Sequence, residues 1–129
     1  MNSKTTIIRL TFVLTLLSLA GCSKPGAPDP ATQTLFKNLM AATMSRDYDG
    51  FLAECDAVMK ASLTKPMMER VSDQIVPRAQ QGYETQYLGD LNQHGYKVNL
   101  WKLSFKGGGD DILATVSIKD GKAGGFLLR

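Results

Sequence analysis

The sequence predicts an α+β fold in which three helices precede a bent four-stranded antiparallel sheet. Between residues 30 and 79 the apolar residues recur at the three- and four-residue spacing of amphipathic helices. Between residues 83 and 128 they mostly alternate with polar residues, as in strands that bury one face. The strand segments are joined by short turns, which join antiparallel neighbours. We therefore expect the helices to cover one face of a four-stranded sheet.

The three helices are predicted from capping residues and apolar stripes, over residues 30–45, 48–60 and 66–79. Asp29 and Asp47 are suitable N-caps of the first two helices, and Pro30 fits a first helical position. Thr64 or the residue after it caps the third helix. Pro77 is expected to kink or fray this helix, because proline cannot donate a backbone hydrogen bond.

The four strands are predicted over residues 83–91, 96–105, 112–118 and 123–128. Gly89 suggests a bend or bulge in the first strand, and Asp120-Gly121 is a tight hairpin signal. One face of the first strand is expected to carry Tyr83, Thr85, Tyr87, Gly89 and Leu91. Along the second strand the apolar residues change face, from Tyr96, Val98 and Leu100 to Trp101, Leu103 and Phe105. Such a change requires a bulge in this strand or burial of both its faces.

The N-terminal segment has the pattern of an export signal. Lys4 and Arg9 give a positive start, and residues 7–20 are mostly apolar and contain no acids. The segment is too short and too interrupted to form a helix across ~30 Å of hydrocarbon. It ends in Leu19-Ala20-Gly21-Cys22, which resembles the lipobox of bacterial lipoproteins. The alternatives are an ordinary secretory signal with an incidental cysteine and a short transmembrane anchor.

The lipobox resemblance implies that residues 1–21 are a signal peptide, cleaved before Cys22, and that this cysteine carries the lipid. Two acyl chains suffice for stable anchoring, at ~0.8 kcal/mol per buried CH₂. Residues 22–30, which are rich in proline, then form a tether, and residues 31–129 form one domain. In Gram-negative cells Ser23 implies sorting to the outer membrane. We therefore expect a lipid-anchored protein of the cell envelope that faces the periplasm and has the membrane as a partner.

Composition narrows the classes of function. The formal net charge of the 129 residues is only +3, and no basic run indicates binding to nucleic acid. If Cys22 is lipidated, Cys55 has no disulfide partner, and its place on an apolar helical stripe predicts a small buried hydrophobe. The single histidine, His94, falls in a turn, and residues 107–109 are interpreted as a hairpin loop rather than a phosphate loop. No metal site or cofactor is predicted.

The element order, together with the turn Ser45-Arg46-Asp47-Tyr48-Asp49-Gly50-Phe51, resembles the cone-shaped fold of nuclear transport factor two, also called cystatin-like. Within it, the chain is similar to small exported bacterial domains of unknown function. The likeness covers about residues 31–129. Members of this superfamily include isomerases, dehydratases and non-catalytic binding or assembly modules, so the fold alone does not choose among them.

Two functions stay open. The favoured one is a non-catalytic module that binds an envelope protein, a peptide or a small apolar ligand in the concave face of the sheet. The other is a small isomerase- or hydrolase-like enzyme with an acid and a tyrosine in the same cavity, although no residue can be matched to the family pattern. Trp101 either lines this hollow or packs as core. The aromatic residues predicted to line it are Trp101, Tyr83, Tyr87, Tyr96 and Phe105.

Overall fold

The computed structural model describes residues 26–129, which form four helices and a four-stranded antiparallel sheet. The fold is therefore α+β, as predicted. The helices are α1 Pro30–Ser45, α2 Tyr48–Ala53, α3 Ala57–Ser62 and α4 Lys65–Ala79. The strands are β1 Tyr83–Gln93, β2 Tyr96–Phe105, β3 Ile112–Lys119 and β4 Lys122–Leu128, in the sheet order β1-β2-β3-β4. Within residues 26–129 no helix has the length and apolarity needed to cross a membrane.

The prediction of a single helix over residues 48–60 is wrong, because the chain leaves the helix at residues 54–56 and pairs with the start of β4. The Ala123 N–H donates to the Glu54 carbonyl at 2.9 Å, and the Asp56 N–H donates to the Ala123 carbonyl at 2.8 Å. The Asp56 carboxylate then accepts from the Met59 N–H at 2.8 Å and caps α3. The three predicted helices thus become four.

The first helix begins and ends where its capping residues predict. The Asp29 carboxylate accepts from the Thr32 N–H at 3.0 Å, and Pro30 occupies the first turn. Arg46 ends α1 in the left-handed conformation, with a φ of 57°. The last helix, α4, continues through Pro77 to Ala79, and the chain then turns at Gly82, which has a φ of 99°.

The sheet has a bulge in β1, and a second register shift lies between β3 and β4, at Ser117 and Ile118. Gly89 has a φ of 131°, and the register with β2 shifts between Tyr87 and Gly89. Because of this shift Leu91 pairs with Val98, on the face opposite to Tyr87. The prediction that residues 83 to 91 share one face is therefore wrong beyond residue 87.

The second strand, β2, has no bulge of its own, and one of its faces stays half-exposed, so neither condition predicted for its change of apolar face is met. Asn99 and Trp101 lie on the face that the helices cover, and each is 1% exposed. Val98 and Leu100 lie on the opposite face and are half-buried. The apparent change of face arises because Asn99, a polar residue, is buried among apolar ones.

The core lies between the helices and this face of the sheet, which we call the covered face. The Phe36 ring of α1 stacks on Trp101 with a centroid distance of 4.0 Å and an interplanar angle of 3°. The largest buried apolar side chains of the core are Phe36, Leu39, Met40, Phe51, Met68, Ile75, Trp101, Leu103, Phe105 and Val116. Full burial of each such side chain stabilises the fold by about 1.5–3 kcal/mol. The helices do not cover the opposite face of the sheet, which we call the open face.

Candidate functional site

The open face carries an apolar patch that crosses the four strands. Leu91 of β1 pairs with Val98 of β2 on this face. Thr115 of β3 pairs with both Leu100 and Leu127, so β2 and β4 contribute to the same row. We call the following set of side chains the leucine patch: Leu88, Leu91, Val98, Leu100, Leu113 and Leu127.

The leucine patch contacts solvent mainly on the two edge strands, β1 and β4, and is bordered by polar groups. Leu88 is 40% exposed, Leu91 39% and Leu127 48%. At one end Lys102 pairs with Leu113, and the Lys102 Nζ lies 3.7 Å from a carboxylate oxygen of Asp111. Single exposed leucines are ordinary on a protein surface, but apolar side chains that cross all four strands make this face a candidate contact surface.

The structure places four of the five predicted aromatic residues on the covered face. Trp101 is 1% exposed and Phe105 is 8% exposed, beneath the helices. Tyr83 and Tyr87 are half-buried, and their rings contact those of Phe105 and Trp101 at centroid distances of 6.3 Å and 5.2 Å. Tyr96 lies on the open face, so the five do not line one hollow. Their role in ligand binding stays a prediction.

Trp101 also has an unusual polar atom. Its Nε1 is buried and has no hydrogen-bond partner among the described residues. The ring is held on one side by Phe36 and at its edge by Tyr87. A buried donor without a partner costs about 1–3 kcal/mol, so Trp101 contributes to stability through its area and stacking rather than through its N–H.

The Tyr87 hydroxyl lies in a small polar cluster at the border of the core. It lies 3.1 Å from the Asp90 Oδ2 and 3.0 Å from the Asn99 Oδ1. Burial, followed by the hydrogen bond and the negative charge of Asp90, raises the pKa of Tyr87 to about 12. The phenol therefore remains protonated at neutral pH and has one proton to donate to either oxygen, while the Asn99 Nδ2 donates to the Lys97 carbonyl at 3.3 Å.

A second tyrosine and acid pair lies at the edge of the open face. The Tyr96 hydroxyl donates to the Asp56 Oδ2 at 3.0 Å, within an open cleft of about 490 Å³ that Lys60, Lys119 and Lys122 also line. The backbone N–H of Met59 and then the Tyr96 hydroxyl lower the pKa of Asp56, and the hydrogen bond to Asp56 raises the pKa of Tyr96. Both shifts move the pKa values of these groups further from neutral pH.

The predicted burial of Cys55 is confirmed. Its thiol is 1% exposed and donates to the Phe51 carbonyl at 3.3 Å. Burial, the largest cause, and the neighbouring Asp56 charge raise the pKa of the Cys55 thiol to about 11. A thiol with such a pKa is protonated at neutral pH and is a poor nucleophile.

The remaining polar motifs lie in turns. His94 has a φ of 50° in the exposed β1–β2 turn, and residues 107–109 lie in the turn between β2 and β3. The carbonyl of Asp110 in that turn accepts from the Arg78 guanidinium of α4. Within the described part of the chain, no three acidic, histidine or cysteine side chains form a group that would hold a metal ion.

The leucine patch is the feature that sequence reasoning missed. The sequence did contain a signal for this patch. Val98 and Leu100 are apolar and lie an odd number of residues from Trp101, so they belong to the opposite face of β2. The lipobox, with Cys22, lies outside the described residues. Comparison with models of known protein families and with curated proteins gives no match.

Proposed function

We propose that this chain is a lipid-anchored, exported protein of the cell envelope whose cone-like domain binds another envelope protein without catalysis. The observation that carries the proposal is the leucine patch on the open face. The patch crosses all four strands, its exposed leucines lie on the two edge strands β1 and β4, and Lys102 and Lys119 lie at its ends. A partner that covered the patch would bury this surface and so gain hydrophobic free energy.

The position of the anchor in the sequence supports an envelope partner. Cys22 precedes α1 by only a short proline-rich segment, which spans roughly 25–30 Å when fully extended. A lipid on Cys22 would thus hold the sheet close to the bilayer. Partners in the same membrane layer would then meet the domain at a high local concentration.

The enzymatic alternative finds less support in the chemistry of its acids. It requires an acid whose pKa is raised by burial beside a tyrosine. Two tyrosine and acid pairs are in hydrogen-bond contact, Tyr87 with Asp90 at the border of the core and Tyr96 with Asp56 in the open cleft. In the cleft the pKa of Asp56 is lowered, because a carboxylate that caps a helix is favoured in its charged form. Asp29, the other acid of residues 26–129 with a shifted pKa, also has a lowered pKa, because the Thr32 hydroxyl and then the Thr32 N–H donate to its carboxylate.

A photo-crosslinking experiment in living cells tests this function. A photoreactive phenylalanine derivative replaces Leu127, the most exposed leucine of the patch, or, as a control, Val58, which is 69% exposed on α3. Both positions are apolar and accessible, so they differ in location rather than in chemistry. We expect one specific protein adduct from position 127 that is absent from position 58. The proposal is wrong if position 127 gives no adduct, or if both positions give the same set.

A further inference from the structure

The two edges of the sheet differ in what covers them. At the β4 edge, residues 54–56 form backbone hydrogen bonds with Ala123. At the opposite edge, β1 pairs with β2 only, and among residues 26–129 no backbone group bonds to its outer side. An exposed strand edge presents unpaired N–H and C=O groups that another extended chain can bind.

The direction of the free backbone groups follows from one hydrogen bond. The Lys106 N–H donates to the Gly82 carbonyl at 2.9 Å, and these two residues are directly opposite in the register of β1 and β2. In an antiparallel ladder the bonded pairs alternate with non-bonded pairs. The N–H and C=O groups of Tyr83, Thr85 and Tyr87 therefore point away from β2. The bulge at Gly89 then ends this regular stretch.

A groove runs beside these same residues. It has a volume of about 290 Å³ and lies between α1 and the start of β1. Its apolar walls are Phe36, Met40 and Tyr83, and Thr85 borders it at the strand. A chain added to the edge of β1 would project alternate side chains toward this groove, because side chains on the covered face of a strand point to α1.

The groove also has a charge that no acid in the described part of the chain neutralises. Lys37 lines it from α1 and is exposed, and no acidic side chain of residues 26–129 lies within 4.0 Å of its Nζ. The other side chains that line the groove carry no charge. A ligand with a carboxylate facing α1 would therefore complement this site.

We propose that the outer edge of β1 binds an extended peptide segment of a partner protein, which adds to the sheet as a strand and places apolar and acidic side chains against α1. The site is separate from the leucine patch, so it goes beyond the function proposed above. A second copy of this chain is a less suitable occupant, because the groove of each copy would bring its own Lys37 to the interface.

The test uses a random nine-residue peptide library displayed on phage, with the full chain in detergent as target. We expect the selected peptides to alternate apolar and polar residues and to be enriched in glutamate or aspartate. Each selected peptide is then synthesised in two forms, with N-methyl groups on the odd or on the even residues. Only one form should lose binding, at least about tenfold, since only one set of N–H groups faces β1. Equal binding of the two forms would overturn the proposal, as would a selection without enrichment.

Variants of the chain test whether the peptide binds at the outer edge of β1. Thr85→Pro removes an N–H that points away from β2, so it should weaken peptide binding at least about tenfold and keep the sheet. Thr85→Val keeps the N–H and should bind as the wild type does. Lys37→Glu should reverse the preference for acidic peptides. If Thr85→Pro fails to fold, the N-methylated pair decides. Leu127→Asp should leave peptide binding unchanged, which separates this site from the leucine patch.

Sedimentation of the full chain tests whether a second copy of this chain occupies the edge of β1. The wild type should have the same oligomeric state as Thr85→Pro. A wild-type dimer that Thr85→Pro converts to a monomer would show that a second copy of this chain occupies the edge, and would overturn the proposal of a partner peptide.

Discussion

The Tyr96 ring crosses the backbone of Gly124 so that its hydroxyl reaches the Asp56 Oδ2 at 3.0 Å. Tyr96 belongs to β2, whereas Asp56 caps α3 and pairs with the start of β4. This hydrogen bond joins residues 40 apart in the sequence. It therefore holds the N-terminus of α3 to the edge of the sheet.

Replacement of Gly124 by alanine should disrupt this contact. A Cβ at residue 124 would overlap the Tyr96 ring and lie 2.7 Å from the Asp56 Oδ2, and so both side chains must move. We expect Gly124→Ala to lower the free energy of unfolding by about 1–3 kcal/mol in denaturant titrations. Gly125→Ala is the matched control, because its Cβ would lie 3.3 Å from the Ser117 Oγ, a milder contact. Equal losses in the two variants would contradict the role of Gly124.

Part of the loss of stability in acid should come from protonation of Asp56. Its folded-state pKa lies below the ordinary value of 3.8, so its contribution is complete above that value and is lost as the pH falls through the folded pKa. Asp56→Asn keeps an oxygen at the N-cap but does not titrate. We expect this variant to lose less stability than the wild type between about pH 7 and about pH 3 in urea titrations. Asp120→Asn is the matched control, because it removes one carboxylate charge in the β3–β4 turn, where the side chain caps no helix. A decline as steep in Asp56→Asn as in the wild type would be inconsistent with this linkage.

Trp101 should behave as a core residue in mutagenesis. Trp101→Ala removes a ring that is 1% exposed and stacked on Phe36, and should cost about 3–5 kcal/mol. Trp101→Phe should cost less, because it keeps part of the stacking and removes the unpaired Nε1 donor. Thermal melting of both variants measures the difference. A small loss in Trp101→Ala, with loss of partner capture, would instead favour Trp101 as a binding residue.

The Cys55 thiol should be unreactive in the native protein. It is buried and its pKa is raised to about 11, so a thiol reagent at neutral pH should label it only after denaturant is added. Mass spectrometry of the full chain measures the labelling, and Cys55→Ala shows how much of the signal comes from other sites. Rapid labelling of the native chain at Cys55 would contradict its burial.

Cys22 should be the N-terminus of the mature chain and should carry the lipid. The prediction depends on Leu19-Ala20-Gly21-Cys22 after a basic and apolar leader. Mass spectrometry of the membrane fraction should detect acyl chains on Cys22. Cys22→Ala should release the protein from the lipid anchor and prevent the processing. Unchanged attachment and processing in this variant would exclude a lipoprotein.

Local patterns in the sequence were sufficient for most of the fold. Asp29 and Pro30 define the start of α1, and Asp120-Gly121 defines the last hairpin, because capping and turn conformations depend on residues that are close in sequence. The alternation of apolar residues in β2 was compatible with a Trp101 packed in the core and with one that lines a hollow. That choice depends on whether a helix covers the strand.

Three features were decided by tertiary contacts alone. The break at residues 54–56 exists because β4, far along the chain, pairs with that segment, while the local pattern favours a continuous helix. The open face acquired Leu91 because the bulge at Gly89 reverses the side-chain direction, and a glycine alone does not fix the position of a bulge. The free edge of β1 follows from the order of strands in the sheet. The sequence by itself determined α1, α4, the four strands and their turns, since their signals are local. The tertiary structure decided where the second predicted helix breaks and which faces and edges of the sheet remain uncovered.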